Sequence, residues 1–251
     1  MMKITILGCS GSAGVPALGY GWSELDRSDP KNARSRPSVL LEENGFRLLI
    51  DAGPDVRLQL TARDIYQVDA VLYTHAHNDH IGGTPDLLGI VYASGKKLPL
   101  YAHQACADEI CQRYNFVFDH QPGLAMNILP LETRCTIGPF TLDLFPMNHV
   151  ITTTYGIRCR DFAYLTDFVT FDDKHMDDLR ELAVLVIDAN SLHPGQSSQH
   201  IHLEETLRLV EQLKPQRTVV THLPGWQDYT RLAAMLPASA EPAYDGLQFS
   251  L

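Results

Sequence analysis

The densest group of metal-ligating residue types in this chain of 251 residues lies in the segment His-Ala-His-Asn-Asp-His. His75, His77, Asp79 and His80 come directly after the apolar residues 70–73, which predict a β-strand. Imidazole and carboxylate groups are good ligands for zinc and related divalent ions. Since a chain leaving a strand can aim several side chains at one point, the segment predicts a metal site, with His75 and His77 converging on one ion and Asp79 and His80 facing a second.

Three further ligand candidates stand at the ends of predicted strands. His149 follows the stretch FTLDLFPMN, Asp167 ends the stretch FAYLT, and His222 ends the stretch RTVVT. A single histidine in such a place is more often an ordinary hydrogen-bonded residue. Here three such residues each stand at the end of a predicted strand. The carboxyl ends of neighbouring strands meet at one edge of a sheet, where α/β proteins usually have their sites. We therefore expect all three side chains to lie near the histidine-rich segment.

The segment HAHNDH resembles the HxHxDH signature of the metallo-β-lactamase superfamily, and the resemblance extends over nearly the whole chain. His149, Asp167 and His222 follow in the order in which that family uses its remaining ligands. The Asp51-Ala-Gly53 turn is similar to its Asp-x-Gly element, whose aspartate supports the ligands from behind. The resemblance implies an α/β fold of the αββα type, in which two mixed β-sheets are flanked by helices, and a single domain over residues 1–251.

The resemblance also implies which residues hold which ion. The first of two divalent ions would be held by His75, His77 and His149. The second would be held by Asp79, His80 and His222, with Asp167 bridging both ions. Two ions about 3.5–4 Å apart can share a bridging hydroxide that acts as the nucleophile of a hydrolysis. We therefore count Asp79 among the catalytic residues as well as among the ligands. Either Zn²⁺ or Mn²⁺ suits this set of ligands.

Other stretches narrow the chemistry. Residues 7–19 and 29–38 are most similar to the PhnP-type phosphodiesterases, which open phosphoribosyl 1,2-cyclic phosphate, although a relative in pyrroloquinoline-quinone biosynthesis begins in the same way. Gln199-His200, THLPG and the Tyr-Asp-Gly near the end favour the phosphodiesterases. In those enzymes a histidine at the position of His200 assists catalysis. His200 lies just before a predicted helix without an obvious capping role, and we expect it to be a general acid for the leaving oxygen.

The chain departs from those phosphodiesterases in one respect. They carry a cysteine-rich zinc-binding insertion in an early loop, whereas this chain has no cysteine between Cys9 and Cys106. A structural zinc is therefore not expected, and the substrate stays open. The five cysteines are odd in number and form no CxxC pair, so they predict reduced residues in a cytoplasmic protein.

Composition and charge limit the partners. Hydrophobic residues make up 45% of the chain and the formal net charge is −10, which suits a globular protein but repels polyphosphates. A small phosphodiester is therefore a better substrate than long RNA or DNA. Arg34 and Arg36 could bind its phosphate, or they could be ordinary solvated charges. The longest apolar runs fall far short of the roughly 18 residues of a membrane span. The sequence leaves open whether the protein forms a homodimer.

Strand patterns occur in two batches with helical patterns between them, which predicts a mixed α/β domain. The predicted strands cover residues 3–7, 38–41, 47–50, 70–73, 98–102, 140–145, 162–165, 182–187 and 218–220. The predicted helices cover residues 54–63, 84–94, 104–114 and 202–214. Residues 20–37 are polar and rich in turn formers, which predicts a long surface loop.

Two alternatives to a phosphodiesterase remain. The same ligand set serves hydrolases of lactones, esters and thioesters, in which His200 would have little to protonate. A biosynthetic accessory protein, as in the quinone-cofactor relative, would bind metal without hydrolysis. The complete ligand set with Asp167 as a bridge argues against this second alternative.

Overall fold

The computed structural model describes residues 1–119, 123–192 and 199–251. The described strands are β1 (Lys3–Gly8), β2 (Ser38–Glu43), β3 (Phe46–Ile50), β4 (Ala70–Leu72), β5 (Leu98–His103), β6 (Leu124–Leu129), β7 (Thr133–Ile137), β8 (Phe140–His149), β9 (Thr152–Cys159), β10 (Phe162–Leu165), β11 (Thr170–Phe171), β12 (Val184–Asp188), β13 (Arg217–Thr221), β14 (Ala240–Pro242) and β15 (Gln248–Ser250). The described α-helices are α1 (Val56–Thr61), α2 (Asn78–Ile81), α3 (Leu88–Ser94), α4 (Gln104–Arg113), α5 (Asn115–Phe118), α6 (Leu203–Leu213) and α7 (Tyr229–Met235).

The strands form two mixed sheets. The first has the order β15-β1-β2-β3-β4-β5-β6, and β3 to β6 run parallel within it. The second has the order β11-β8-β9-β10-β12-β13-β14, with β7 also paired to β8, and β10, β12, β13 and β14 run parallel. This arrangement confirms the predicted α/β class with two mixed sheets.

Alternation along the strands divides the apolar residues into layers. Leu48 and Ile50 of β3 belong to a core between the two sheets, whereas Leu49 between them faces the core under α1, α3 and α4. Successive side chains of a strand point to opposite faces, so a central strand with both faces covered is apolar throughout. A third core lies between the outer face of the second sheet and α6, to which Val210 and Leu213 contribute.

Several predicted elements differ from the observed ones. Residues 84–94 form a 3₁₀ turn (Thr84–Leu87) followed by α3. Residues 20–37 form the predicted loop, interrupted by one short 3₁₀ turn (Pro30–Asn32). His120 and His193, for which the sequence predicts no special role, lie outside the described residues. In the part of the chain that the structure describes, no helix is long and apolar enough to cross a membrane.

Candidate metal centre

The candidate ligands meet because strands from both sheets end at the same edge. In the first sheet β3 runs parallel to β4, so Asp51 and the segment that starts at His75 leave the sheet side by side. In the second sheet β8, β10 and β13 run in one direction and end at His149, Asp167 and His222. The backbone amide of Tyr155 in β9 donates to the carbonyl of Thr74 at 3.1 Å, which joins the two sheets beside this edge.

Three of these residues share an unusual backbone conformation. Asp51, Asp167 and His222 have φ angles of 63°, 55° and 55°. Non-glycine residues adopt this left-handed region at a cost, and such residues cluster at functional sites where the surroundings hold them in place. The left-handed residue turns each side chain sharply off the end of its strand, toward the gap between the two sheets.

The structure brings the seven predicted ligands into two groups. The first group, with ligand atoms within 4.8 Å of one another, contains His75, His77, His149 and Asp167. The second group, by the same measure, contains Asp79, His80, Asp167 and His222. These are the two sets that the resemblance implied, and Asp167 belongs to both.

Asp167 lies between the two groups. Its Oδ2 atom is 3.8 Å from the Nε2 of His75 and 3.9 Å from that of His149. The same oxygen is 3.4 Å from the Nε2 of His80 and 3.1 Å from that of His222. One carboxylate oxygen thus faces histidines of both groups, at a position from which Asp167 could serve two ions.

Hydrogen bonds at Nδ1 direct the Nε2 atoms of two histidines toward other candidate ligands. The Nδ1 of His80 is 2.7 Å from the buried carboxylate of Asp51, and the Nδ1 of His149 is 2.6 Å from the carbonyl of Gln199. A proton on Nδ1 leaves the lone pair on Nε2, which is how ligating histidines are usually oriented. The Nε2 atoms of His75 and His80 are buried without a hydrogen-bond partner among the described residues. Because a buried polar atom without a partner is costly, this donor set fits a divalent cation.

The pKa values in the first group favour neutral imidazoles. Burial lowers the pKa of His75 well below its usual value, and the neighbouring His80 lowers it further. Burial likewise lowers the pKa of His77, and that of His149 to about 4. These rings are neutral at pH 7, the form that binds a metal ion.

Carboxylates dominate the second group. Burial lowers the pKa of His80 and His222, but the negative charges around them, above all Asp167, raise that of His80 well above its usual value and that of His222 to about 9. Burial raises the pKa of Asp79 and Asp167, but the adjacent histidines hold both well below the usual range. A divalent cation would take over from these protons as the partner of the buried carboxylates.

The turn after β3 packs directly on the histidine-rich segment. The backbone amide of Ala52 donates to the carbonyl of His80 at 2.8 Å, and that of Gly83 donates to Ala52 at 2.8 Å. A Cβ atom on Gly53 would lie 2.0 Å from the carbonyl oxygen of Asp79, so only glycine allows this approach. The turn therefore fixes the position of α2 and of the Asp79 and His80 side chains.

His200 lies beside the two ligand groups. Its ring stacks on that of His222, with centroids 4.7 Å apart, and is 4.9 Å from that of His149. Its Nδ1 is 2.7 Å from the Oδ2 of Asp188. The structure thus places the predicted general acid against ligands of both groups.

Asp188 is not among the predicted site residues, although the sequence carries a signal for it. Asp188 is fully buried at the end of β12, one residue beyond the predicted strand, and so repeats the pattern of polar residues at strand ends. Its carboxylate accepts the backbone amides of Asp167 at 3.0 Å and of Asn190 at 2.8 Å. Asn190 in turn contacts the Nδ1 of His222 at 3.0 Å. Asp188 therefore links the backbone of Asp167 to the His200 side chain.

The prediction for Arg34 needs correction. Arg34 is only 1% exposed, and it donates hydrogen bonds to the carbonyls of Pro224 at 3.2 Å and Gln227 at 2.8 Å. A guanidinium that is buried and directed at backbone carbonyls cannot reach a substrate phosphate, so Arg34 tethers the loop after β13. Arg36 is partly exposed and pairs with Asp55, at 2.7 Å from Nε and 2.5 Å from a terminal nitrogen.

Comparisons with known proteins agree with this geometry. The family described as "Beta-lactamase superfamily domain" matches residues 46–223. An octanoyltransferase from Porphyromonas gingivalis is 29% identical over 260 residues, which cover 98% of this chain and 51% of the relative, so the chain spans about half of that protein's length. The probable metallo-hydrolase YhfI of Bacillus subtilis is 26% identical over 236 residues, which cover 89% of this chain and 87% of the relative.

A solved structure gives the same result. The crystal structure of a new diphosphatase from the PhnP family matches 99% of this chain and 96% of its own, with a TM-score of 0.91 and 31% sequence identity. Its similarity extends to the whole chain, and the residues here form the His/Asp groups that such a fold uses for divalent ions. The chain therefore belongs to the β-lactamase superfamily and has the metallo-β-lactamase fold.

Proposed function

We propose that this protein hydrolyses small phosphodiesters, cyclic ones included, at a centre of two divalent ions, Zn²⁺ or Mn²⁺. The observation that carries the proposal is the position of His200, which is held by Asp188 and lies against His149 and His222. The other superfamily chemistry, hydrolysis of lactones or thioesters, has less need of a proton donor at this place. We further propose that residues 1–251 act as one domain, since both sheets contribute to the core between them.

The proposed ligands divide as the two groups do. His75, His77 and His149 would hold one ion, Asp79, His80 and His222 the other, and Asp167 both. Such a pair of ions supplies positive charge that stabilises the negative charge developing on a phosphoryl group. Asp51 would keep the Nε2 of His80 directed at its ion through the bond to Nδ1.

His200 would donate a proton to the leaving oxygen. With both ring nitrogens protonated, His200 would donate to Asp188 from Nδ1 and pass the second proton, on Nε2 at the other side of the ring, to the leaving oxygen. Asp188 would act as a positioning residue, because its carboxylate fixes the ring and also holds the backbone of Asp167. An alkoxide leaves poorly without a proton, so such a donor typically raises the rate by about 10²–10⁴-fold.

The charge of the chain favours a small substrate over a nucleic-acid polymer. The chain carries a net charge of −10, which opposes binding of long RNA or DNA. Arg36, unlike Arg34, is partly exposed, and we retain it as a candidate phosphate contact. The similar diphosphatase indicates a second candidate, in which a diphosphate linkage is cleaved at the same centre.

A substrate panel tests the proposal. Protein loaded with Zn²⁺ or Mn²⁺ would be assayed with a cyclic phosphodiester, bis-p-nitrophenyl phosphate, a nucleoside diphosphate, p-nitrophenyl phosphate, a lactone, a thioester and a tRNA precursor. We expect turnover of the first two to be fastest, with little processing of the RNA. Preference for the lactone or thioester would contradict the proposal. Efficient RNA cleavage that falls steeply with added salt would assign the protein to the nucleases instead.

A further inference from the structure

A cavity of about 410 Å³ lies between the loop after β1, the residues before β2, and α1. Among the described residues, none of the seven candidate ligands lines it, and neither does His200 or Asp188. Exposed residues such as Pro16 and Leu58 belong to its walls, so solvent can enter it. Its volume is within the range of small-molecule sites. The cavity is therefore a possible ligand site separate from the metal centre.

The walls of this cavity carry more positive than negative charge. Three guanidinium groups line it, those of Arg34, Arg36 and Arg63, together with two carboxyl groups, those of Asp55 and Asp245. The chain as a whole has a formal net charge of −10, so a positive concave surface is an exception on it. A cleft lined by an excess of one charge attracts small molecules of the opposite charge. The cavity thus favours an anionic ligand.

The guanidinium of Arg63 is largely uncommitted. In the described part of the chain, its side chain forms no ion pair and donates from Nη1 to the carbonyl of Gln59 at 3.0 Å. Arg36, by contrast, is engaged with Asp55 through two of its nitrogens. A guanidinium has five N–H donors in a fixed fork. Most of the donors of Arg63 therefore remain available to a ligand.

The turn at Asp245 and Gly246 makes room for this guanidinium. Gly246 has a φ of 97°, and a Cβ atom at this position would lie 2.7 Å from the Nη2 of Arg63. Glycine therefore lets the guanidinium lie against the backbone, where a side chain would push it away. The amide of Gly246 donates to the carbonyl of Ile6 at 2.7 Å, which ties the turn to β1. One wall of the cavity is thus fixed where Arg63 meets it.

The carboxyl of Asp245 opposes an anion in the cavity while it is ionised. Its Oδ2 accepts the amide and the hydroxyl of Ser35 at 2.7 and 2.6 Å, and its Oδ1 lies 3.6 Å from the Sγ of Cys9. The charges of Arg34 and Arg63 also act on it. Burial raises the pKa of this carboxyl to about 6, although Ser35 and Arg63 lower it. Below that pH the cavity becomes more positive.

We propose that this cavity is a second ligand site, in which Arg63 binds a phosphate group. The several oxygens of a phosphate can accept from a guanidinium fork, and charge-assisted bonds of this kind are strong. The buried Arg34 supports the assignment, because its Nε atom lines up no hydrogen-bond partner among the described residues. The inference concerns a site other than the metal centre and does not depend on the reaction at that centre.

The second site adjoins the centre through one turn. Asp55 in its wall accepts the backbone amide of Arg36 at 2.9 Å and belongs to the turn after β3. In the same turn, the amide of Ala52 donates to the carbonyl of His80 at 2.8 Å. A ligand in the cavity therefore contacts the segment that positions the candidate ligands Asp79 and His80.

Binding of sulfate to the metal-loaded protein tests the site, since sulfate keeps its charge between pH 5 and 8. In calorimetric titrations, Arg63→Gln should weaken this binding by about 10–100-fold through the loss of charge-assisted hydrogen bonds. Arg63→Lys keeps the charge and should retain part of the affinity. Arg57→Gln, at an exposed arginine of α1 that does not line the cavity, is the matched control. Sulfate bound at the metal ions would contribute equally in all these proteins.

Asp245→Asn should have the opposite effect. At pH 8 it removes a negative charge from the cavity and should tighten sulfate binding by about 10-fold. At pH 5 the carboxyl of the wild type is already protonated, so the variant should gain little. Unchanged affinity in Arg63→Gln, an equal loss in Arg57→Gln, or weaker binding by Asp245→Asn at pH 8 would overturn the proposed site.

Two further probes identify the source of the phosphate group. Inorganic phosphate and phenyl phosphate would be titrated into the wild type and Arg63→Gln. Because Leu7, Val15 and Leu58 give the cavity apolar walls, we expect phenyl phosphate to bind about 10-fold more tightly, as an organic phosphate should. Equal affinities, both lowered in Arg63→Gln, would identify the free ion as the ligand of the same site. Affinities that Arg63→Gln leaves unchanged for both probes would contradict the proposal.

Discussion

The Nδ1 atom of His200 lies 2.7 Å from the Oδ2 atom of Asp188. The same oxygen accepts the backbone amide of Asp167 at 3.0 Å. One buried carboxylate therefore positions the proposed proton donor and the residue shared by the two ligand groups. In the proposed mechanism, Asp188 would link metal binding to protonation of the leaving group, and no sequence motif singled it out.

Replacing His200 should separate proton donation from metal binding. His200→Ala should keep its metal ions and its fold, yet lose about 10²–10⁴-fold in turnover of phosphodiesters with alkoxide leaving groups. With p-nitrophenolate, which leaves without a proton, the loss should be much smaller. His202→Ala is the matched control, since His202 immediately precedes α6 and its Nε2 lies 3.2 Å from a carboxylate oxygen of Glu205. Equal losses for both leaving groups, at unchanged metal content, would show that His200 positions the phosphate instead.

Removing the shared carboxylate should weaken both metal sites. The Oδ2 of Asp167 faces two histidines of each group at 3.1–3.9 Å. Asp167→Ala, purified without chelator, should therefore retain far less than two ions per chain by elemental analysis. Asp177→Ala, at a side chain 91% exposed, should bind as the wild type does. Two tightly held ions in the Asp167 variant would rule out the bridging role.

Arg34 and Arg36 should respond differently to substitution. Arg34→Met removes hydrogen bonds to two buried carbonyls and should lower the free energy of unfolding by about 1.5–3 kcal/mol in urea titrations. Arg36→Met breaks a partly exposed ion pair with Asp55 and should cost less than about 1 kcal/mol. If Arg36 contacts the substrate phosphate, its variant should instead raise KM. An Arg34 variant of normal stability with a raised KM would reverse these assignments.

Most of these strands could be predicted from the sequence because burial of both faces makes them continuously apolar. The strand predictions for residues 47–50 and 162–165 agree with β3 and β10 to within one residue. The missed strands lie mainly at sheet edges or in exposed hairpins, as β6 and β7 do, where one face meets solvent and polar residues interrupt the pattern. These segments are strands because they pair with a neighbouring strand. No local sequence pattern indicates that pairing.

The residues of the site could be predicted where they lie close together in the sequence or where each of them stands at the end of a strand. His149, Asp167 and His222 were expected near the histidine-rich segment because each ends a strand. Arg34 was misjudged because charge alone does not show whether a side chain faces solvent. Its buried position depends on the carbonyls of Pro224 and Gln227, about 190 residues away in the chain. Such long-range contacts have no signature in the local sequence.

The buried Asp245 should make stability depend on pH. Burial raises the pKa of its carboxyl to about 6, although hydrogen bonds from Ser35 lower it. The unfolded value is about 4, so the folded state holds a proton between pH 4 and 6 that the unfolded chain has released. The resulting stability is fully present below about pH 4 and is lost as the pH rises through about 6. In metal-free protein, the wild type should therefore lose about 1–3 kcal/mol relative to Asp245→Asn between pH 4 and 7.

Urea titrations of both proteins at several pH values measure this difference. The comparison cancels the contributions of other titrating groups, and Asp177→Asn, which alters an exposed carboxyl, should show no such trend. A constant difference between wild type and Asp245→Asn, or a wild type that gains relative stability as the pH rises, would show that the carboxyl is not protonated in the folded state.

The most direct test of a two-ion phosphodiesterase is a metal titration of stripped enzyme. Protein freed of metal with a chelator would receive Zn²⁺ or Mn²⁺ in steps, while hydrolysis of a cyclic phosphodiester and bound metal are measured together. The seven ligands in two groups predict that activity rises with added metal and levels off at two ions per chain. Full activity with one ion, or activity that persists in the metal-free protein, would contradict the proposed centre.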